Sequence, residues 1–184
     1  MKKFFCLLLV VSFSLVSGFG QQVDQEAKVD RLYQMVKSGQ HKGRMMIWEK
    51  MVNDNDFDVS VRQEACVNLT FVYFILQDDE KVIEYGEKAV SFKDVGGFYK
   101  QTIHFALANA YLSESHLNLK KAVVNLRLTA EIAESRNDPL AEEYKNNHKR
   151  LEQLLEKTEA NDILERIVKK LEKEAENKEK KKKK

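Results

Sequence analysis

Proline and cysteine are scarce in this chain: Pro139 is the single proline, and Cys6 and Cys66 are the two cysteines. One proline and seven glycines among 184 residues supply too few breakers for the many turns of a sheet-rich protein, so the expected class is all-α. Two cysteines exclude a disulfide-built scaffold, and stability has to come from packing. No glycine-rich loop could cradle a phosphate, no Ser or Cys has the flanking glycines of a nucleophile elbow, and no HExxH occurs. His41, His104, His116 and His148 are scattered without an i, i+4 pair. The carboxylates, such as Glu84 with Glu87 and Glu142 with Glu143, lie on helices rich in lysine, where a solvated charged face is expected. No enzyme, cofactor or metal centre is expected.

Neither charge sign dominates, with 31 basic residues against 29 acidic ones, but the charges are unevenly placed. Residues 1–20 begin with Lys2 and Lys3, continue through an apolar run from Phe4 to Val16, and end in Ser17, Gly18 and Gly20. This order reads as a secretory signal peptide cut after Gly20, and the run is too short to span a bilayer comfortably. Cys6 stands at the front of the run, where a lipoprotein cleavage site would need it at the end. The expected location is therefore periplasmic or secreted. Without Lys2 and Lys3, the 31 basic residues become 29 against 29, and Cys66 remains alone as an expected core residue. The segment 178–184, KEKKKKK, holds six lysines and Glu179; setting it aside leaves a mildly acidic body of 23 against 28. Such a run is expected to be a disordered, solvated tail, with weak contact to an anionic membrane surface as its next use. Nucleic acid is not expected as a partner, because the body is acidic and the chain is exported.

The mature sequence is built on residues 63–92, read as two amphipathic helices joined at an acidic turn. Cys66, Leu69, Thr70 and Tyr73 form one stripe, and Val82, Gly86 and Ala89 a second, with small residues where two helices cross closely. His104, Leu107, Ala108 and Tyr111 repeat the first stripe at a shift of 38 (104 minus 66, 111 minus 73), followed by Ala122, Leu126 and Thr129. Upstream, Glu49-Lys50-Met51 precedes Glu87-Lys88-Ala89 by the same 38 (87 minus 49) and closes a helix over about 41–53. Its mate, 21–38, fits less well, with Tyr33 where a small residue is wanted. The spacing resembles the tetratricopeptide repeat, W-x2-L-G-x2-Y followed by A-x3-F. Cys66 stands for Trp, Thr70 for the small residue, Gly86 for the large apolar one and Asp94 for Pro, so the units are divergent. The resemblance implies a short right-handed stack of antiparallel helical hairpins over 21–160 whose first helices line a concave apolar groove. Carried over residue by residue, Val67, Phe71 and Phe74 of one unit and Phe105, Asn109 and Leu112 of the next would line it; the alternative is that these residues contact the terminal helix or a second copy of the chain.

Several local signals complete the reading. Ser38-Gly39-Gln40 stops the first helix, and residues 53–58 form an acidic connector that lacks the glycine and glutamate of a calcium loop. Ser60 with Gln63 predicts a capping box and a helix from Val61. Asp78 and Asp79 open the next helix, and Asp138 before Pro139 opens one running to about Thr158. The sequon Asn68-Leu69-Thr70 falls inside a packed helix. A separate amphipathic helix over 161–177, with Leu164, Ile167, Val168 and Leu171, is expected to cap the stack. The function implied is an exported scaffold or adaptor binding a protein or peptide in the groove. The alternative is a self-associating structural protein whose terminal helix and lysine tail drive dimerisation or attachment to a membrane surface.

Overall fold

The computed structural model describes the backbone of residues 20–93 and 95–182 and the side chains of 27–93 and 95–170. Residues 1–19 of the expected signal peptide, Asp94 and the last two lysines lie outside the described residues. Among the described residues there are seven helices and no strand: α1 Gly20–Lys37, α2 His41–Asn53, α3 Val59–Leu76, α4 Asp79–Ser91, α5 Gly97–Ala110, α6 Leu119–Ser135 and α7 Ala141–Lys182. The protein is all-α. No described helix is long and apolar enough to cross a membrane.

Each helix packs on the next, and α1, α3 and α5 also touch one another as an inner row. That position explains their composition. From Ala65 to Tyr73 every residue of α3 is buried, because neighbours cover it on all sides. Tyr73 stacks on Tyr85 at 5.6 Å between ring centroids, while Cys66, seven residues earlier, feels the charge of Lys88, so α3 and α4 run antiparallel. Likewise Gln101 accepts from Arg136 and His104 meets Asn125, which makes α5 and α6 antiparallel. The first pair differs: α1 touches α2 only lightly and rests chiefly on α3.

Gly86 is the close-approach position that its spacing suggests. A Cβ placed there would lie 2.9 Å from Leu107 Cδ2, so a missing side chain lets α4 and α5 meet. A second contact recurs with the sequence shift. Tyr73 Oη donates to Glu49 Oε1 at 2.6 Å, joining α3 to α2, and Tyr111 Oη donates to Glu87, joining the end of α5 to α4. Both partners are displaced by 38 residues (111 minus 73, 87 minus 49). Lys121 Nζ adds α6 to the second pair, reaching Glu87 at 2.8 Å and Tyr111 Oη at 3.0 Å.

The helix ends show which local signals operate. Gly39, at φ 76°, takes the left-handed turn that stops α1. Asp78 accepts from Lys81 N at the start of α4, as expected, and Asn118 does the same for Lys121 N at the start of α6. The expected capping box at Ser60 does not form: α3 begins at Val59 after Asp58, with no side-chain cap. Asp138 Oδ1 accepts from Leu140 N, and α7 begins at Ala141, two residues past Pro139.

The largest departure from expectation is at the C-terminus. Instead of a helix to about 158 and a separate cap over 161–177, α7 is one helix from Ala141 to Lys182. The stretch 158–162, TEAND, contains no glycine or proline, and Thr158 Oγ1 turns back onto Leu154 O at 2.8 Å, so nothing interrupts the backbone ladder. The backbone of 178–182, expected as disordered tail, continues this helix. Among the described residues the segment after 160 covers little of the stack: Asp162, Ile163 and Arg166 line a cleft with Leu117–Lys120, while Leu164, Ile167 and Val168 stay exposed. α6 ends beside α7 at Glu134–Lys145 and begins beside it at Lys120–Glu159, so α7 overruns its partner after Glu159. The cover is the earlier part, where Tyr144 and Leu151 are buried and Leu155 is half-buried.

Candidate functional site

The six residues expected to line an open groove lie at three depths. Val67, Phe71 and Phe105 are buried, Phe74 and Asn109 are half-buried, and Leu112 is exposed. Rings from neighbouring helices meet them: Tyr99 beside Phe71 at 6.1 Å, Phe74 edge-on to Phe105 at 6.3 Å, and Tyr144 of α7 beside Phe105 at 5.6 Å. Phe105, then, sits under the chain's own last helix rather than facing a vacant surface. Asn109 turns its amide to Phe105 O at 2.8 Å in its own helix. Phe71 and Phe105 therefore belong to the hydrophobic core, and a charge at either would break it.

The start of α7 is fixed by a partly buried polar chain. Gln101, 5% exposed, donates to Asp138 Oδ2 at 2.7 Å and accepts from Arg136 Nη1 at 2.9 Å, while Arg136 lies over the Phe98 ring at 5.1 Å. Burial pushes the Tyr144 phenol well above its ordinary range, with Asp138 and Glu143 adding to the effect, so it stays a neutral packing group. These contacts hold the cover in place.

An open cleft of about 980 Å³ lies one step earlier in the chain, between α1, α2 and the first half of α3. Its existence follows from the loose α1–α2 pair: where other pairs interlock, this one leaves a gap. Leu32 and Met35 of α1 and Trp48 of α2 supply apolar walls. Lys28, Arg44, Asp30 and Glu64 ring it with both charge signs. Lys28 Nζ bonds Glu64 Oε1 at 2.6 Å across the α1–α3 contact and lies 5.6 Å from the centre of the Tyr99 ring.

Asn68 lines this cleft and is the unusual group in it. It is 4% exposed, and its Oδ1 has no hydrogen-bond partner among the described residues. A buried amide oxygen left without a donor costs about 1–3 kcal/mol, so the site is set up to accept a hydrogen bond. Apolar walls, mixed charges at the rim and one unmet acceptor suit a backbone N–H carried on a peptide. The sequence marked Asn68 only as part of a sequon, and burial of both Asn68 and Thr70 leaves no room there for a glycan in the folded chain. What it lacked was the position of α1, which no local pattern fixes.

The remaining polar candidates are structural. In the acidic connector, Asp54 Oδ1 accepts from Asp56 N at 3.0 Å and Asn55 Oδ1 from Arg62 at 2.8 Å, so these oxygens serve the turn. Burial depresses the basicity of His104, whose Nδ1 lies 2.9 Å from Asn125 Oδ1. Burial also pushes the Cys66 thiol up to about 11, the mark of an inert core cysteine. Among the described residues no three His, Cys, Asp or Glu side chains converge as a metal-binding group. Comparison with protein-family models, with curated proteins and with solved structures finds no match to this chain.

Proposed function

We propose that this protein is an exported scaffold of divergent tetratricopeptide-like hairpins, in a short right-handed stack, that binds an extended peptide segment of a protein partner. The repeated Tyr–Glu contact at a 38-residue shift supports the repeat reading, since one sequence unit is reused with one tertiary bond. The orphaned Asn68 amide oxygen beside Leu32, Met35 and Trp48 is the observation that carries the binding reading. On this reading the docking surface is the α1–α2–α3 cleft rather than the Phe71–Phe105 side that the resemblance implies.

The test is selection of peptides from a displayed random library against the whole chain, with the winners then measured on Asn68→Leu and Trp48→Ala variants. Affinity should fall about two- to tenfold in Asn68→Leu, a net hydrogen bond being worth about 0.5–1.5 kcal/mol, and about tenfold or more in Trp48→Ala, which removes a large apolar wall. Peptides that bind both variants as they bind the parent would remove the cleft as the site. Nuclear magnetic resonance shifts confined to α1–α3 on adding the peptide would locate it independently.

A further inference from the structure

The Asn68 amide oxygen is shielded from solvent, so no donor from outside reaches it until a wall of the cleft moves. Neither α2 nor α3 is free to do so. From Ala65 to Tyr73 α3 is buried among its neighbours, and Tyr73 ties it to Glu49 of α2 at 2.6 Å. The remaining wall, α1, rests chiefly on α3 and touches α2 only lightly. It joins α2 through the turn at Gly39, where a change in a few dihedral angles reorients the whole helix.

Lys28 stands where it resists that movement best. Glu64 and Asn68 lie one turn apart on one face of α3 (68 minus 64 is four), and Lys28 Nζ crosses from α1 to Glu64 Oε1 at 2.6 Å. The same ammonium lies 5.6 Å from the centre of the Tyr99 ring of α5, so one side chain bridges three helices. It is 11 residues from Gly39 (39 minus 28), a lever of about 16 Å. Leu32 and Met35, the buried apolar anchors of α1, are seven and four residues from the turn (39 minus 32, 39 minus 35). On the peptide-binding reading above, we infer that α1 is a lid over Asn68, hinged at Gly39 and latched by the Lys28–Glu64 ion pair, and that a peptide binds once the latch gives way. A site whose competent form is a minor population loses affinity in proportion to that fraction, so a weaker latch should tighten binding. A rim charge that merely touched the peptide would have the opposite sign, since its removal would weaken binding.

The test begins with the whole chain free of ligand, so the latch is judged whether or not a peptide is found. Amide exchange over residues 28–36 should quicken about two- to fivefold in Lys28→Gln and in Glu64→Gln, the size expected for a partly exposed ion pair. Raising salt from about 0.05 M to about 0.5 M should quicken the parent and leave the two variants nearly unchanged. Lys28→Glu combined with Glu64→Lys should return the parent rate. A variant that loses helicity is replaced by Lys28→Met or Glu64→Met, which keep an apolar stem without the charge. Exchange that matches the parent in both single variants would overturn the latch. Peptides selected on the parent should bind Lys28→Gln and Glu64→Gln about two- to fivefold more tightly, and the charge-swapped chain as they bind the parent. Equal or weaker binding by variants that exchange faster would overturn the lid. A library that yields no ligand would instead remove the binding function and leave the exchange rates to decide the latch.

Discussion

Replacing Gly86 with alanine probes the closest helix crossing in the molecule. Two effects oppose each other. Alanine is favoured over glycine in a helix interior by about 1 kcal/mol. Against this, the new methyl would stand 2.9 Å from Leu107 Cδ2 and 3.0 Å from Cγ, and Leu107 is itself fully buried with no open side to retreat into. Overpacking of this kind costs about 1–3 kcal/mol. The net expectation is a loss of roughly 0–2 kcal/mol, which alone would be a weak test, so the double-mutant cycle is the informative measurement. Leu107→Ala should cost about 2–5 kcal/mol by leaving a cavity. In that background the clash is gone, and Gly86→Ala should become stabilising by about 1 kcal/mol. The two positions should therefore couple by about 1–3 kcal/mol in urea denaturation followed by circular dichroism. Additive effects, or a stabilising Gly86→Ala in the parent, would refute the claim that the glycine is there to admit Leu107.

Further expectations follow from buried groups. Because burial keeps the native His104 below its ordinary 6.5 while the unfolded chain protonates normally, its contribution to stability is complete above 6.5 and falls as pH drops through and below that value. The urea midpoint should be lower at pH 5.5 than at 7.5, and His104→Gln should flatten that difference. Cys66, buried with its thiol raised to about 11, should resist iodoacetamide at pH 8 until denaturant is added, as peptide mapping would read directly. Asn68→Leu should leave stability unchanged or raise it by about 1 kcal/mol in the same urea assay, since it removes an acceptor that has no donor.

The helices themselves were legible because their signals are local. The 3.6-residue period, Gly39, and Asp78 each act within a turn of the chain, and the structure puts helix boundaries near them. Gly86 is legible as a small residue within the second stripe, although its partner Leu107 is not. The depth of Phe71 and Phe105 stays open in the sequence for a reason of another kind: whether an inward ring faces solvent depends on Tyr99 and Tyr144, 28 and 39 residues further along (99 minus 71, 144 minus 105). The sequence divides α7 into a helix to about Thr158 and another over 161–177, whereas a stretch without glycine or proline leaves the helix continuous. The cleft is invisible in the sequence for the same long-range reason as the rings, since it arises from how lightly α1 touches α2.

That loose first pair has a dynamic consequence. A helix held by α3 rather than by its own hairpin mate can swing outward without disturbing α2, so the opening free energy of residues 27–37 should be the smallest of the helices inside the body. Amide hydrogens there should exchange with solvent ahead of those in α3 and α5, and the breadth of the gap beside Asn68 would then be a quantity the protein can vary at little energetic cost.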